Sequence, residues 1–194
     1  MSNWAVFLAA TRASRKALNR TLVLLQDFEY SEYPVDSSWK LITSKELPAG
    51  PFAATALPVP EIARNAFAGM SLAEINTFGA DLSAGNWFIV DQKGLETSTC
   101  LVCDQYHDSG EEDGDEDEDK EGIKDMFRAC RIPYEEANSM MVNLDIANMG
   151  FEDFVDKDAR VQKEGSWKWA ASIPDAEETE STEPTDAEVK KRRH

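Results

Sequence analysis

Short apolar runs that end at polar residues recur along the chain, a pattern typical of strands buried in a sheet. The two runs on either side of Gly94 are close in sequence, which predicts an antiparallel hairpin. The run at 21–26 is also compatible with a helix continuing from Ala17, and we interpret it as a strand because it is short and stops at Asp27. The predicted strands are residues 21–26, 52–57, 86–91, 99–104 and 126–132, with a last one at either 160–162 or 167–169.

Two helices have clear sequence signals. Ser71 and Glu74 form a capping box, in which each side chain accepts a hydrogen bond from the backbone N–H of the other residue. We expect Gly79 to end that helix in the left-handed conformation. Pro133 suits the start of a second helix, because the apolar residues that follow it recur with the spacing of one buried face. These residues are Ala137, Met140, Met141 and Leu144.

Weaker signals predict three further helical segments. Asp36 can cap a helix that passes through residues 39–42 and ends at Pro48, because its carboxylate can accept from a first-turn N–H. Pro60 suits the first position of a short helix over 62–67. Residues 151–155 are expected to form one more helical turn.

Strands that alternate with helices predict an α/β or mixed α+β domain, a single sheet flanked by helices. We expect this domain to span residues 21–173, with an acidic disordered loop at 107–122. Residues 1–20 are assigned to an N-terminal extension, and residues 174–194 to a disordered acidic tail that ends in a basic cluster.

The net charge of −17 is concentrated in two segments. Residues 108–121 contain ten acidic residues and one lysine, and residues 175–188 contain seven acidic residues and no basic one. Such segments have too little apolar area to order themselves, so we expect solvated chain there. They either contact a basic protein or act as spacers without a partner. Direct binding of nucleic acid is not expected, because the acidic chain repels phosphate.

The segment from Val142 to Phe154 resembles an uncharacterised family of small bacterial and fungal domains of unknown function. The resemblance covers residues 21–169, and it implies a fold but no assigned activity. This chain differs from the family pattern in Gln26 and Asp145, in the acidic insertion and in its two extensions. The residues that match the pattern are Asp27, Phe28, Trp39, Asp91, Asp104, Phe127, Arg128, Asn143, Leu144, Ala147, Asn148, Met149, Phe151 and Phe154.

Three aspartates, Asp27, Asp91 and Asp104, each end an apolar run. The carboxyl ends of parallel strands line a common ligand crevice in open α/β sheets, so these residues are candidates for a divalent-metal or ligand site. Arg128 is a candidate for binding an anionic group beside them. If Asp91 and Asp104 flank an antiparallel hairpin, they lie at opposite ends and cannot share an ion. The simpler interpretation is that the aspartates cap helices or start turns.

The amides of Asn143 and Asn148 can both donate and accept hydrogen bonds, which makes them candidate ligand-binding residues. The structural alternative is that Asn148 forms the turn before residues 151–155. In that case the neighbouring apolar side chains are expected to pack inward. They are Leu144, Ile146, Met149, Phe151 and Phe154.

The three cysteines, Cys100, Cys103 and Cys130, are too few for the disulfide framework of a secreted domain, so an intracellular protein is expected. Cys100 and Cys103 are spaced to point to opposite faces of a strand, which predicts buried structural thiols and no shared metal. No cofactor motif and no membrane segment is apparent. The basic residues 190–193 are compatible with a nuclear location. Residues 1–26 contain no acidic residue, which is also compatible with a mitochondrial location, and we regard this alternative as weaker than the nuclear one.

The sequence therefore leaves two hypotheses about function. The first is a non-enzymatic intracellular module that contacts other proteins, with acidic segments that engage a basic partner. The alternative is a divalent-metal-dependent enzyme or small-ligand binder that uses the strand-end aspartates.

Overall fold

A computed structural model describes residues 4–26, 39–46, 53–82, 85–107 and 125–170 of the chain. These residues form six strands, four α-helices and one turn of 3₁₀ helix at Phe151–Asp153. The strands are β1 (Trp4–Leu8), β2 (Trp39–Ile42), β3 (Asn86–Val90), β4 (Thr99–His107), β5 (Asp125–Pro133) and β6 (Trp167–Lys168). The helices are α1 (Arg15–Leu24), α2 (Leu72–Leu82), α3 (Gln92–Thr97) and α4 (Tyr134–Asp145). None of the described helices is long and apolar enough to cross a membrane.

The strands form one mixed sheet in the order β2-β1-β3-β4-β5-β6. β1 lies parallel to both β2 and β3, whereas β4 is antiparallel to β3 and to β5. β6 pairs in parallel with β5 at the far edge. The predicted α/β fold, a sheet flanked by helices, is therefore confirmed.

Side chains alternate across the sheet and build one apolar core on each face. The α1/α4 face includes Val6, Phe88 and Val102, covered by α1, α4 and Phe151. The α2 face includes Phe7 and Trp87, covered by α2. Burial on both faces explains why β3 is apolar at four consecutive positions and does not alternate with polar residues.

The N-terminal residues correct one expectation. Residues 1–20 were assigned to an extension, but Trp4–Leu8 forms β1 between β2 and β3, and Val6 and Phe7 are fully buried. Ser14 then caps α1 by accepting from the Ala17 N–H at 3.1 Å. The sheet therefore begins before Thr21.

The predictions for residues 21–26 and 39–42 were both wrong, in opposite directions. The apolar run from Thr21 belongs to α1, in which Leu18, Thr21 and Leu22 face the core at helical spacing. Trp39–Ile42 is a strand because it pairs with β1 along the sheet edge. The proposed cap of that segment, Asp36, lies outside the described residues.

The segment before α2 also differs from prediction. Residues 53–57 form no strand, although Thr55 exchanges hydrogen bonds with the backbone of Trp39 and Leu41 at 2.7 and 2.8 Å. Residues 62–67 form bends and turns and not the helix predicted after Pro60. Phe52 lies outside the described residues.

The remaining elements agree with the sequence patterns. The hairpin partners β3 and β4 are antiparallel as predicted, although α3 joins them in place of a simple turn. The strand at β5, the helix α4 and the turn Phe151–Asp153 are confirmed. Of the two alternatives for the last strand, the structure has the one at Trp167–Lys168.

The capping box of α2 is confirmed. The Glu74 carboxylate accepts from the Ser71 N–H at 2.8 Å, and the Ser71 hydroxyl accepts from the Glu74 N–H at 3.3 Å. The hydrogen bond from the Ser71 backbone, followed by the one from its hydroxyl, lowers the pKa of Glu74. Gly79 does not end this helix, because α2 continues to Leu82.

Gly79 serves instead as a contact point for Trp87. A Cβ added at Gly79 would lie 2.3 Å from Cε2 of the Trp87 indole, which is fully buried in β3. The absence of a side chain therefore allows α2 to approach the sheet closely.

We expect Gly79→Ala to destabilise the domain by about 1–3 kcal/mol through overpacking against Trp87. In an open helix interior the same change stabilises by about 0.5–1 kcal/mol, so the sign of the effect is diagnostic. Urea unfolding monitored by circular dichroism measures it, with Thr77→Ala on the exposed side of α2 as the control. A stabilised Gly79→Ala variant would contradict the close contact.

Candidate functional site

Two of the three strand-end aspartates, Asp91 and Asp104, do not converge. Asn86 at the start of β3 is the Cα partner of Asp104, whereas Asp91 follows the last residue of β3. Five residue steps of about 3.3 Å separate the two positions, or about 16 Å along the sheet. Asp91 and Asp104 therefore lie at opposite ends of the hairpin and share no ion. Asp27 lies outside the described residues.

Asp91 is the N-cap of α3 and also an ion-pair partner. Its Oδ1 accepts from the Gly94 N–H at 2.7 Å, which satisfies a backbone donor of the first turn. The Arg131 guanidinium of β5 donates to both carboxylate oxygens, at 3.1 and 2.5 Å. This two-point contact fixes the start of α3 to β5, which lies two strands away from β3 in the sheet.

Two further charges extend this arrangement, which we name the Asp91 cluster: Asp91, Lys93, Arg131 and Glu164. Glu164 accepts from the Lys93 ammonium at 2.7 Å and lies 3.5 Å from Nε of Arg131. The hydrogen bond from Lys93, ahead of the one from its own backbone, lowers the pKa of Glu164. The cluster joins α3, β5 and the chain before β6.

Asp104 forms a second cluster at the other end of β4, on the α1/α4 face. Its Oδ2 accepts from Nε of Arg128 at 2.7 Å, and the two residues are direct cross-strand partners. The Asn86 amide, oriented with its nitrogen toward Oδ1, donates at 2.9 Å. Burial raises the pKa of Asp104 by more than the Arg128 hydrogen bond and charge lower it.

Arg128 is held from three sides. Its guanidinium lies 4.8 Å from the ring centroid of Tyr106 and 4.5 Å from that of Phe151, so it is placed between two aromatic rings. It also donates to the carboxylate of Glu152. We name Asn86, Asp104, Arg128 and Glu152 the Asp104 cluster. The arginine proposed to bind an external anion is thus engaged by two carboxylates of its own chain.

Asn143 and Asn148 contact each other at the end of α4. The Asn148 amide donates to Oδ1 of Asn143 at 2.6 Å, and the Asn148 N–H donates to the Asn143 carbonyl at 3.0 Å. Asn143 in turn donates to the Ser139 carbonyl at 2.8 Å. These contacts close the turn after α4, where Ala147 has a φ of 52°. Asn148 thus takes part in the turn as the structural alternative expects, but the expectation that it also caps the Phe151 turn is wrong, because the N-cap there is Gly150.

The turn after α4 also contains an exposed apolar pair that the sequence analysis placed in the core. Phe151 is buried as expected, and Leu144 and Phe154 pack partly against the core. Ile146, however, is 65% exposed and Met149 is 37% exposed. We name residues 145–150 the α4 loop.

The cysteines behave as the strand spacing predicts. Cys100 and Cys130 lie in the core of the α1/α4 face and Cys103 in that of the α2 face, and all three are buried free thiols. Burial raises the pKa of Cys130 to about 12 and those of the other two thiols further. Within the described part of the chain, no group of three His, Cys, Asp or Glu side chains is placed to hold a metal ion.

These features define an α/β domain with a mixed sheet and two internal ion clusters. Residues 30–166 match the model of a family described as a domain of unknown function, DUF6924, so the chain belongs to that family. The match includes β2 to β5, both arginines of the clusters and the α4 loop, and it begins after β1 and α1. No curated protein and no solved structure matches the chain.

Sequence reasoning identified Asp91, Asp104 and Arg128 but missed their connections. The pairing of Asp104 with Arg128 follows from the β4–β5 register, and the Asp91 partner Arg131 was not singled out. Glu152 and Glu164 were also missed, because both reach the arginines from segments distant in sequence. The available signal was the pair of arginines in β5, an unusual composition for a strand buried on both sides.

We expect Asp91→Asn to lower the free energy of unfolding by about 2–3 kcal/mol. Asparagine can still cap α3, but Arg131, whose side chain is 11% exposed, loses its main counter-charge. Glu164→Gln is the matched control, because loss of an exposed ion pair costs about 1 kcal/mol or less. Equal losses in urea unfolding of the two variants would show that the Asp91–Arg131 pair stabilises the fold no more than an exposed ion pair does.

The raised pKa of Asp104 gives a signed pH dependence. The folded protein holds this proton to higher pH than the unfolded chain, so the stabilising contribution is complete below the ordinary carboxyl pKa and is lost as pH rises through the raised value. We therefore expect the difference in unfolding free energy, native chain minus Asp104→Asn, to decrease with rising pH. Urea unfolding of both proteins across the acidic range tests this. A difference that increases with pH would mean that Arg128 outweighs burial.

Proposed function

We propose that this domain is a non-enzymatic intracellular module that binds a basic protein through the α4 loop. The observation that carries the proposal is the exposure of Ile146 and Met149, three residues apart in one turn. Single exposed apolar residues are normal on a surface, but two large ones in one turn form the centre of a contact patch.

Acidic side chains flank this apolar pair in sequence. Asp145 and Asp153 are exposed, and so is Glu152, although Arg128 already pairs with its carboxylate. Glu135 and Glu136 are also exposed, in the first turn of α4 at the opposite end of that helix. An apolar centre with an anionic rim is complementary to a segment that combines apolar side chains with lysine or arginine. The chain's net charge of −17 favours the same class of partner by attracting it over a longer range.

The alternative, a metal-dependent enzyme or ligand binder that uses Asp27, Asp91 and Asp104, has less support. Asp91 and Asp104 lie at opposite ends of β4, and each is engaged by an arginine of β5. A carboxylate that already neutralises a guanidinium has to break that pair before it can ligate a cation. The two clusters therefore support a role in stabilising the sheet.

The test is capture of binding proteins from a cell extract with the full chain, followed by affinity measurement with each purified candidate. We expect the double variant with Ile146→Ser and Met149→Ser to bind the true partner with an affinity lower by at least about tenfold, since burial of one such side chain is worth about 1.5–3 kcal/mol. We also expect affinity to fall steeply as salt rises, because screening weakens the acidic rim.

Val161→Ser is the matched control, because Val161 is 50% exposed and lies outside the α4 loop. Deletion of residues 109–120 separately measures what the acidic segment contributes. If no captured protein depends on Ile146 and Met149, or if binding is insensitive to salt, the proposal is wrong.

A further inference from the structure

A cavity of about 440 Å³ lies beside the first turn of α1. One wall belongs to α1 and the residues before it, and the opposite wall belongs to the segment at 60–62. This size is within the range of small-molecule sites in proteins. The lining residues are Ala13, Arg15, Leu18, Pro60, Glu61 and Ile62.

One wall of the cavity is built by the chain that leaves the carboxyl end of β1. From β1 the chain passes through α1 to β2 on one side, and it returns through α2 to β3 on the other side of β1. In open α/β sheets, ligands bind outside the carboxyl ends of the strands at such a reversal of strand order. Ala13 and Arg15 follow the carboxyl end of β1, so the cavity lies on the β1 side of this reversal, and its other wall comes from residues 60–62.

The wall opposite α1 is anchored to the sheet and to α1. The Val59 N–H donates to Oδ1 of Asn19 in α1 at 2.7 Å, and the Asn65 amide donates to the carbonyl of Leu8 in β1 at 2.7 Å. Pro60 to Ile62 lies between these two anchors. The cavity is therefore formed before any ligand binds, which reduces the ordering cost of binding.

Two opposite charges line the cavity without pairing with each other. Arg15 and Glu61 are both exposed. If these two side chains served only to close the gap, they would be expected to form an ion pair, but no ion pair joins them. Leu18 and Ile62 supply an apolar surface between α1 and the facing segment. A molecule that carries both charges and an apolar body would satisfy all three features.

We propose that this cavity binds a small zwitterion with an apolar side chain, a free amino acid or a close analogue. Its carboxylate pairs with Arg15, its ammonium group pairs with Glu61, and its side chain packs against Leu18 and Ile62. The site is separate from the α4 loop, so it does not depend on the protein-binding function proposed above.

The test is calorimetric titration of the full chain with L-leucine and L-phenylalanine, each compared with molecules that lack one charge. For leucine these are 4-methylpentanoate, without the ammonium group, and 3-methylbutylamine, without the carboxylate. We expect saturable binding of at least one amino acid, and binding weaker by about tenfold or more for each single-charge compound.

Variants assign the two charges. Arg15→Gln should weaken amino-acid binding about tenfold while leaving 3-methylbutylamine unchanged, and Glu61→Gln should do the same while leaving 4-methylpentanoate unchanged. Arg64→Gln, an exposed change just beyond the cavity wall, should change neither. Failure of both amino acids to bind, or binding unaffected by Arg15→Gln and Glu61→Gln, would overturn the proposal.

Discussion

The alternation of side chains along β5 is the constraint on which the arrangement of charges depends. Arg128 and Arg131 are three residues apart in a strand, so they point to opposite faces of the sheet. Each meets one aspartate of the neighbouring elements, Arg128 on the α1/α4 face and Arg131 near the start of α3. This one strand thereby neutralises both carboxylates and connects the sheet to the Phe151 turn and to α3.

Elements with local signals were predictable from the sequence. The capping box of α2 involves Ser71 and Glu74 alone, and the apolar face of α4 repeats every three to four residues. β3 and β4 were recognised because continuous apolar runs between polar residues fit strands covered on both faces. In each case the information lies within about ten residues of the element.

The N-terminal third was less predictable because its structure depends on tertiary pairing. The apolar run from Thr21 has a composition typical of a strand. It forms part of helix α1 because Ser14 caps this helix and because Leu18 and Leu22 are buried in the core on one face of it. Trp39–Ile42 has no local signal that favours a strand over a helix. It is a strand because it pairs with β1 at the edge of the sheet. The prediction of a shared site was wrong for a similar reason, because the partners of Asp91 and Asp104 depend on the strand register across the sheet. Ile146 was placed in the core because spacing alone cannot show where helix packing stops.

The pairing of His107 with Asp125 has a consequence for how this chain can vary in length. These two residues are Cα partners at one end of the β4–β5 ladder, so the backbone positions that the connecting residues have to join lie side by side. The entropic cost of joining two such positions by a flexible connection rises only logarithmically with the length of the connection. Added or removed residues there leave the register of β4 and β5 unchanged, which makes this end of the hairpin suitable for inserting a second folded domain.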